Sequence, residues 1–290
     1  MTLELLRRPR RLPRVIGRFN WPVSMLTWDV IVLGGYLLIN VWVVGYLLYM
    51  RFLGRRPDSR WYLPFVFLSI IWAVSIHTVT AFLYSGLGGR PFWNSAILAP
   101  RFLASAFVSG PAFIVLALQI VRRFTDFHIG DGAIRTLLQI LRVTALANLF
   151  LFLSEVFTEF YTGGSHVAAA RYLYFGLDGK SALVPWIWTA ILCDVFAALV
   201  FLFYDSRRGL GLIDAACVAA LFGLWVEKGI GLIVPGFVPS TLHEVVEYVP
   251  NAVEWKVSLG IWAFGLIVFT LGLKIAVAVF NGTMHVEEEV

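Results

Sequence analysis

The stretch Leu137–Phe160, LLQILRVTALANLFLFLSEVFTEF, decides the fold. At about 1.5 Å per residue, its 24 residues make a helix long enough to cross a hydrocarbon core of roughly 30 Å. A barrel strand would be only about 10 residues long and would alternate apolar with polar positions, which this run does not do. The run closes on Glu155 and Glu159, spaced i, i+4 and therefore on one helix face. A charge inside a bilayer costs roughly 2.5 kcal/mol or more unless it is paired or lines a cavity, so such residues mark function.

Six further runs repeat the pattern, at 27–50, 62–84, 98–122, 183–205, 211–235 and 256–280. Together the seven predict an all-α integral membrane protein, a single domain over 1–290 with a basic lead-in at 1–22 and a tail at 281–290. Composition agrees. The chain is 59% hydrophobic and only 14% charged, against roughly 25% charged in soluble domains. Linkers carry turn-forming residues, as at Gly88-Gly89-Arg90-Pro91, Gly163-Gly164 and Pro235-Gly236. Trp61, Tyr62, Trp93, Trp186 and Trp188 near the run ends read as interfacial belts.

Basic residues set the orientation. The first, third and fifth linkers hold Arg51, Arg55, Arg56, Arg60, Arg122, Arg123, Arg135, Arg207 and Arg208. The other three hold only Arg90, Arg171, Lys180 and Lys256. The positive-inside rule then places the N-terminus outside and the C-terminus in the cytoplasm, in a cytoplasmic (inner) membrane. The net charge of +5 is therefore topological, and no nucleic-acid partner is expected. Against this rule, Arg7, Arg8, Arg10, Arg11, Arg14 and Arg18 crowd the outer terminus. No apolar segment of a signal peptide follows them.

In that topology Asp29, His77, Arg101, Glu155, Glu159, Glu227 and Lys228 fall in the outer half of the membrane, as if lining one polar chamber. His77, flanked by Ser75 and Thr78, is the leading functional residue, although a membrane histidine can also serve only as a hydrogen-bonding partner of a neighbouring helix. Asp29 either does chemistry or sits at a helix start that favours an anion. Glu159 either joins the chamber or reaches the headgroups. Glu227 and Lys228 either serve the site or form an internal pair that holds helices together. Asp194 and Asn148 lie nearer the midplane, where they extend a proton path or hydrogen-bond between helices. Ser105-Ala106-Phe107-Val108-Ser109-Gly110-Pro111 suits close helix packing followed by a kink.

Several cofactors find no ligands. Cys193 and Cys217, both in apolar runs, are too few for an iron–sulfur cluster or a structural zinc. Only His77 of the five histidines lies in a span, so the paired axial ligands of a membrane haem are missing; His128, His166, His243 and His285 fall elsewhere. No metal site is expected.

Specific segments carry a resemblance. They are Trp28-Asp29-Val30 with Gly34-Gly35-Tyr36-Leu37, Trp72–Phe82 around His77, Ala99–Ala106 around Arg101, the helix end Glu155–Tyr161, Trp225–Gly229, Pro235–Pro239 and Glu247–Pro250. These resemble the membrane subunits of the polysulfide reductase (NrfD/PsrC) family, most closely its DsrP branch, the quinone-interacting subunit of the sulfite-reduction-associated DsrMKJOP complex. The resemblance runs from about residue 8 to the end. It implies a ten-helix bundle of which these are the last seven, with the basic start in an outer loop. It also implies a subunit without haem or cluster that exchanges electrons between a quinone (menaquinone or ubiquinone) and an extracytoplasmic ferredoxin-like iron–sulfur subunit, among other membrane and cytochrome subunits and membrane lipid. On that expectation His77 bonds the quinone or accepts its proton, with Ser75 and Thr78 beside it. Glu155, Glu159 and Asp29 handle protons, while Arg101, Glu227 and Lys228 complete the site. An ion- or proton-coupled transporter is the competing function, although no inverted repeat supports it. A retinal protein would want a lysine at mid-membrane in the last helix, and Lys274 lies near its inner end.

Overall fold

The structure, a computed structural model, describes residues 21–164, 167–204, 211–239 and 244–284. The arginines at positions 7–18, Arg207, Arg208, His166, His243, His285 and the end of the tail lie outside these residues. The helices are α1 (Met25–Phe52), α2 (Ser59–Ser85), α3 (Leu98–Phe124), α4 (Asp131–Tyr161), α5 (Val167–Tyr174), α6 (Val184–Phe203), α7 (Gly211–Lys228), α8 (Ile230–Ile233) and α9 (Ala252–Phe280). Seven segments are long and apolar enough to cross a membrane: α1, α2, α3, α4, α6, Gly211–Phe237 and α9. These are the seven runs read from the sequence, most of their ends moved by a few residues.

A four-helix bundle forms the centre. In it α3 packs on α4, α4 on α6, α6 on α7, and α7 back on α3. Lipid gives helices no hydrophobic reason to associate, so close contact depends on small residues. The bundle supplies them: Ala112, Ala145, Ala190, Ala197, Ala198, Ala216, Ala220 and Gly223 are all buried. The half of the bundle away from Arg101 is dry, filled by Val115, Ile134, Leu138, Leu141, Phe201, Ile213 and Cys217 around these alanines. Cys193 and Cys217 are both free thiols, the former only half-buried.

The remaining spans lean on this bundle. α1 and α2 form an antiparallel pair, and α2 lies against α3. Trp72 ties the pair, its Nε1 donating to Val32 O at 2.9 Å. Gly35 makes room for that ring, since a Cβ there would sit 2.7 Å from Trp72 Nε1. α9 starts at a capping box formed by Asn251 and Glu254, packs beside α1 and reaches α3 through Phe113 and Phe269, ring centroids 5.3 Å apart.

Three local features differ from the reading of the sequence. The sixth span is not one helix: α7 stops at Lys228, Gly229 (φ −79°, ψ −86°) breaks it, and α8 and a 3-10 turn at Pro235–Phe237 continue the crossing. The linker after α4 contains a helix of its own, α5, which packs on α4, on α6 and on that 3-10 turn. Trp93 belongs to no interfacial belt. It is 3% exposed, and its Nε1 donates to Leu232 O at 2.8 Å, pinning the linker after α2 to the broken end of the sixth span. α3 continues as α-helix through Pro111, and α2 through Pro64.

Arg142 illustrates how the bundle closes its dry end. Its Nε donates to Phe201 O at 2.9 Å and its Nη2 to Tyr204 O at 2.8 Å, covering carbonyls that the end of α6 leaves without intrahelical partners. Charge-assisted bonds of this kind are worth about 1.5–3 kcal/mol. Arg142→Ala should therefore lower stability by about that amount, read as a lower Tm of the detergent-solubilised protein. An unchanged Tm would show that water covers those carbonyls equally well.

Candidate functional site

The apolar stripes of the bundle turn polar at one end. On α3 the buried positions are Leu98, Arg101, Ser105, Val108, Ala112 and Val115, so Arg101 sits on the core-facing stripe rather than on the lipid side. On α4 the stripe through Leu138, Leu141, Ala145, Asn148 and Phe152 ends at Glu159. On α7 it ends at Glu227. Helix periodicity thus aims these groups at one another.

Arg101 is the hub. One terminal nitrogen pairs with Glu155 on α4 and the other with Glu227 on α7. Their side chains are 6%, 13% and 6% exposed, so little water reaches the triad. Lys228 adds a second cation, Nζ 2.9 Å from Glu227 Oε1. Two aromatic faces cover the cations: Arg101 Cζ lies 5.4 Å from the Phe152 ring centre and Lys228 Nζ 5.5 Å from that of Phe102. Glu159 is 6% exposed and its Oε2 has no partner among the described residues, so it faces the protein and not the headgroups.

Asp194 joins the cluster from α6, where it lines one small cavity together with Asn148 and Glu227. A Cβ on Gly223 would collide with its carboxylate, so the glycine provides the notch that admits it. Tyr174, at the end of α5, is buried over the same cluster, and Trp188 Nε1 donates to its carbonyl at 2.9 Å.

The other expected residues stand apart. Thr80 Oγ1 on α2 donates to Asp29 Oδ1 on α1 at 2.9 Å. His77 lies three residues before Thr80, hence near it on the α2 surface; it is half-buried and has no hydrogen-bond partner among the described residues. The hydroxyls of Ser75 and Thr78 donate to Ile71 O and Val74 O on their own helix. The sequence reading placed seven residues in one chamber. The structure brings together Arg101, Glu155, Glu227 and Lys228, with Glu159 and Asp194 beside them, and leaves Asp29 and His77 as a second station on α1 and α2. Asp194 and Tyr174 gained their place through contacts between helices, which spacing along the chain does not reveal. Among the described residues no group of three or more histidine, cysteine or acidic side chains could hold a metal.

Two phenols of α5, Tyr172 and Tyr174, lie outside the spans and shift with their surroundings. Burial, followed by the charge of Glu247, raises the Tyr172 phenol above its ordinary value. Burial raises that of Tyr174 too; Arg101 opposes it, and Glu227 and Glu159 reinforce it. A phenol whose folded pKa is raised contributes stability that is full below about pH 10 and is lost as pH climbs from there through the folded value. Tm should therefore fall in alkaline solution, and less so in a Tyr172→Phe/Tyr174→Phe double variant. An equal fall in both proteins would assign alkaline loss to other groups.

Removing one partner of a buried ion pair strands the other, at about 3–5 kcal/mol. Arg101→Met should cost about that much, because it strands Glu155 and leaves Glu227 with Lys228 alone. Adding Glu155→Gln and Glu227→Gln should recover much of the loss, measured as Tm and yield of folded protein. No recovery in the triple variant would contradict the pairing.

The chain is 23% identical over 272 residues to the Hdr-like menaquinol oxidoreductase integral membrane subunit of Archaeoglobus fulgidus, covering 89% of this chain and 66% of that one. It is 24% identical over 291 residues to a putative dimethyl sulfoxide reductase membrane subunit of Halobacterium salinarum, covering 87% and 65%. With a subunit of the selenate reductase of Mesobacillus selenatarsenatis the identity is 22% over 246 residues, covering 81% and 55%. The chain thus spans between about half and two thirds of the length of these relatives. The family described as polysulphide reductase, NrfD, matches residues 1–239, which include both polar stations and six of the seven spans. This multi-pass membrane protein belongs to the NrfD polysulphide reductase family.

Proposed function

We propose that the chain is the quinone-interacting membrane subunit of a respiratory oxidoreductase complex, passing electrons between the quinone pool and a partner iron–sulfur protein. The observation that carries this reading is the buried Arg101–Glu155–Glu227 triad at one end of an otherwise apolar bundle. Buried ionisable groups inside a membrane protein mark proton or ligand chemistry. Membership in a family whose relatives include a menaquinol oxidoreductase subunit supports quinone as the substrate.

Quinol oxidation releases two protons and two electrons. The site then needs a hydrogen-bond partner for the quinone oxygens and a route for protons. His77 fits the first need, because its imidazole is half-buried and free of protein hydrogen bonds among the described residues. Asp29 lies nearby through Thr80 and takes the proton onward. Ser75 and Thr78 retain acceptor lone pairs for the substrate after bonding their own helix. Glu155 and Glu159 exchange protons near the surface, and Arg101, Glu227 and Lys228 hold the local field. Electrons leave to a ferredoxin-like iron–sulfur subunit docked on the extracytoplasmic side, with further membrane and cytochrome subunits in the complex. In this reading the chain sits in the cytoplasmic membrane with its N-terminus outside, as the arginine-rich linkers Arg51–Arg60 and Arg122–Arg135 argue. A role in sulfur or sulfite metabolism follows from the DsrP-like segments around His77 and Arg101.

Loss of a positioned acid or base typically costs about 10²–10⁴-fold in rate. His77→Ala and Glu155→Gln should each slow quinol-linked electron transfer by about 10²-fold or more while the complex still assembles. Normal turnover in both variants would remove these residues from the site. Solute uptake by vesicles containing the chain, with no electron acceptor present, would favour a transporter instead.

A further inference from the structure

Asp194 and Asn148 take no part in the quinol reading above, yet both are placed with care. Between α4 and α6 lies a cavity of about 110 Å³, lined by Asn148, Phe152, Ile191, Asp194, Val195 and Glu227 among others. Asn148 is 4% exposed, and its Oδ1 has no hydrogen-bond donor among the described residues. A buried amide oxygen without a donor costs about 1–3 kcal/mol, so a donor belongs in that cavity. The volume is well above the roughly 10–15 Å³ that admits one water, and the lining offers water its usual partners in Asn148, Asp194 and Glu227.

Asp194 and Glu227 both face this cavity. Two carboxyl groups facing one small cavity repel each other when both are ionised, which favours a proton on one of them. Charge balance points the same way. Arg101 on α3 and Lys228 on α7 are the cations, while Glu155 and Glu159 on α4, Asp194 on α6 and Glu227 on α7 are the acids. Four acids against two cations in a site that water barely reaches leave two negative charges in excess, which two protons remove: one on the Asp194–Glu227 pair and one on Glu159, whose Oε2 has no partner among the described residues. Among the described residues Asn148 and Cys193 also stand beside Asp194, and Tyr174 on α5 stands near Glu227; none of them is a cation.

We infer that Asp194 and Glu227 form a proton store: a carboxylic acid pair sharing one proton, hydrated through the Asn148 cavity and in exchange with the Arg101 end of the bundle only. The other direction is closed by the apolar packing of Ala197, Ala198, Phe201, Ile213, Ala216 and Leu141. The store loads and releases a proton without passing it across the membrane. The inference rests on the quinol reading only in naming quinol as the source of that proton.

Infrared spectroscopy of the purified full-length protein, without quinone, tests it. The wild type should show the C=O stretch of a protonated carboxylic acid that shifts in D2O, and this band should remain in Glu159→Gln and be lost in Asp194→Asn. Absence of the band from the wild type, or its persistence unaltered in Asp194→Asn, overturns the store. Should Asp194→Asn fail to fold, Gly223→Ala is the second variant. It pushes on the Asp194 carboxyl and should displace the band; an unmoved band overturns the assignment. Asn148→Leu, which fills the cavity, should slow the exchange of the band into D2O several-fold, and equal rates overturn the hydrated route. In sealed vesicles carrying the protein, an imposed pH gradient should decay no faster than in empty vesicles. Faster decay overturns the closed end. None of these readouts requires quinone, so a failed turnover test for His77 leaves them intact.

Discussion

The arrangement depends on how a guanidinium is kept charged inside a bilayer. Arg101 cannot lose its proton, and each ion taken from water costs several kcal/mol unless its partners are well placed. The structure meets the demand by bringing one acid from α4 and another from α7 to the same group, which ties three helices of the bundle together at one point. The small residues of α3, α4, α6 and α7 let the backbones approach closely enough for those short acidic side chains to arrive. Small-residue packing and the polar site are thus parts of one solution: loosening the first would separate the charges of the second.

That constraint also divides the molecule by role. The bundle is rigid and paired, with its charges covered by aromatic faces. The α1–α2 pair, joined to it along α3, carries a histidine whose imidazole has no hydrogen-bond partner among the described residues and an acid that accepts from the Thr80 hydroxyl. A substrate that must bind, react and leave suits the second station. A fixed field and a reserve of protons suit the first.

Much of this was legible along the chain, and the remainder has a clear physical origin. Seven spans could be read because length and apolarity are properties of a single segment, and Leu137–Phe160 displays them without reference to any neighbour. The convergence of Arg101, Glu155, Glu227 and Lys228 followed from counting depth in alternating spans. Depth alone left His77 and Asp29 in the same chamber, because it carries no information on which helices are neighbours. The break at Gly229 was hidden because Gly-Ile-Gly-Leu-Ile-Val is as apolar as the helix it interrupts. Trp93 had the sequence context of an interfacial tryptophan, and only the carbonyl freed at Leu232 turns it inward. Asp194 looked isolated until Gly223, on another span, supplied the room beside it.

The break at Gly229 has an energetic meaning for the residue just before it. Ending α7 at Lys228 places that cation on the last turn, where the aligned peptide dipoles present their negative pole. A cation there gains about 0.3–1 kcal/mol at an exposed site and up to about 2 kcal/mol when partly buried. Had the helix run on unbroken to Pro235, the same ammonium would stand beside the middle of a helix, where the macrodipole offers nothing. The discontinuity acts as a built-in counter-ion, supplying through the backbone part of the negative charge that another carboxylate would otherwise have to provide.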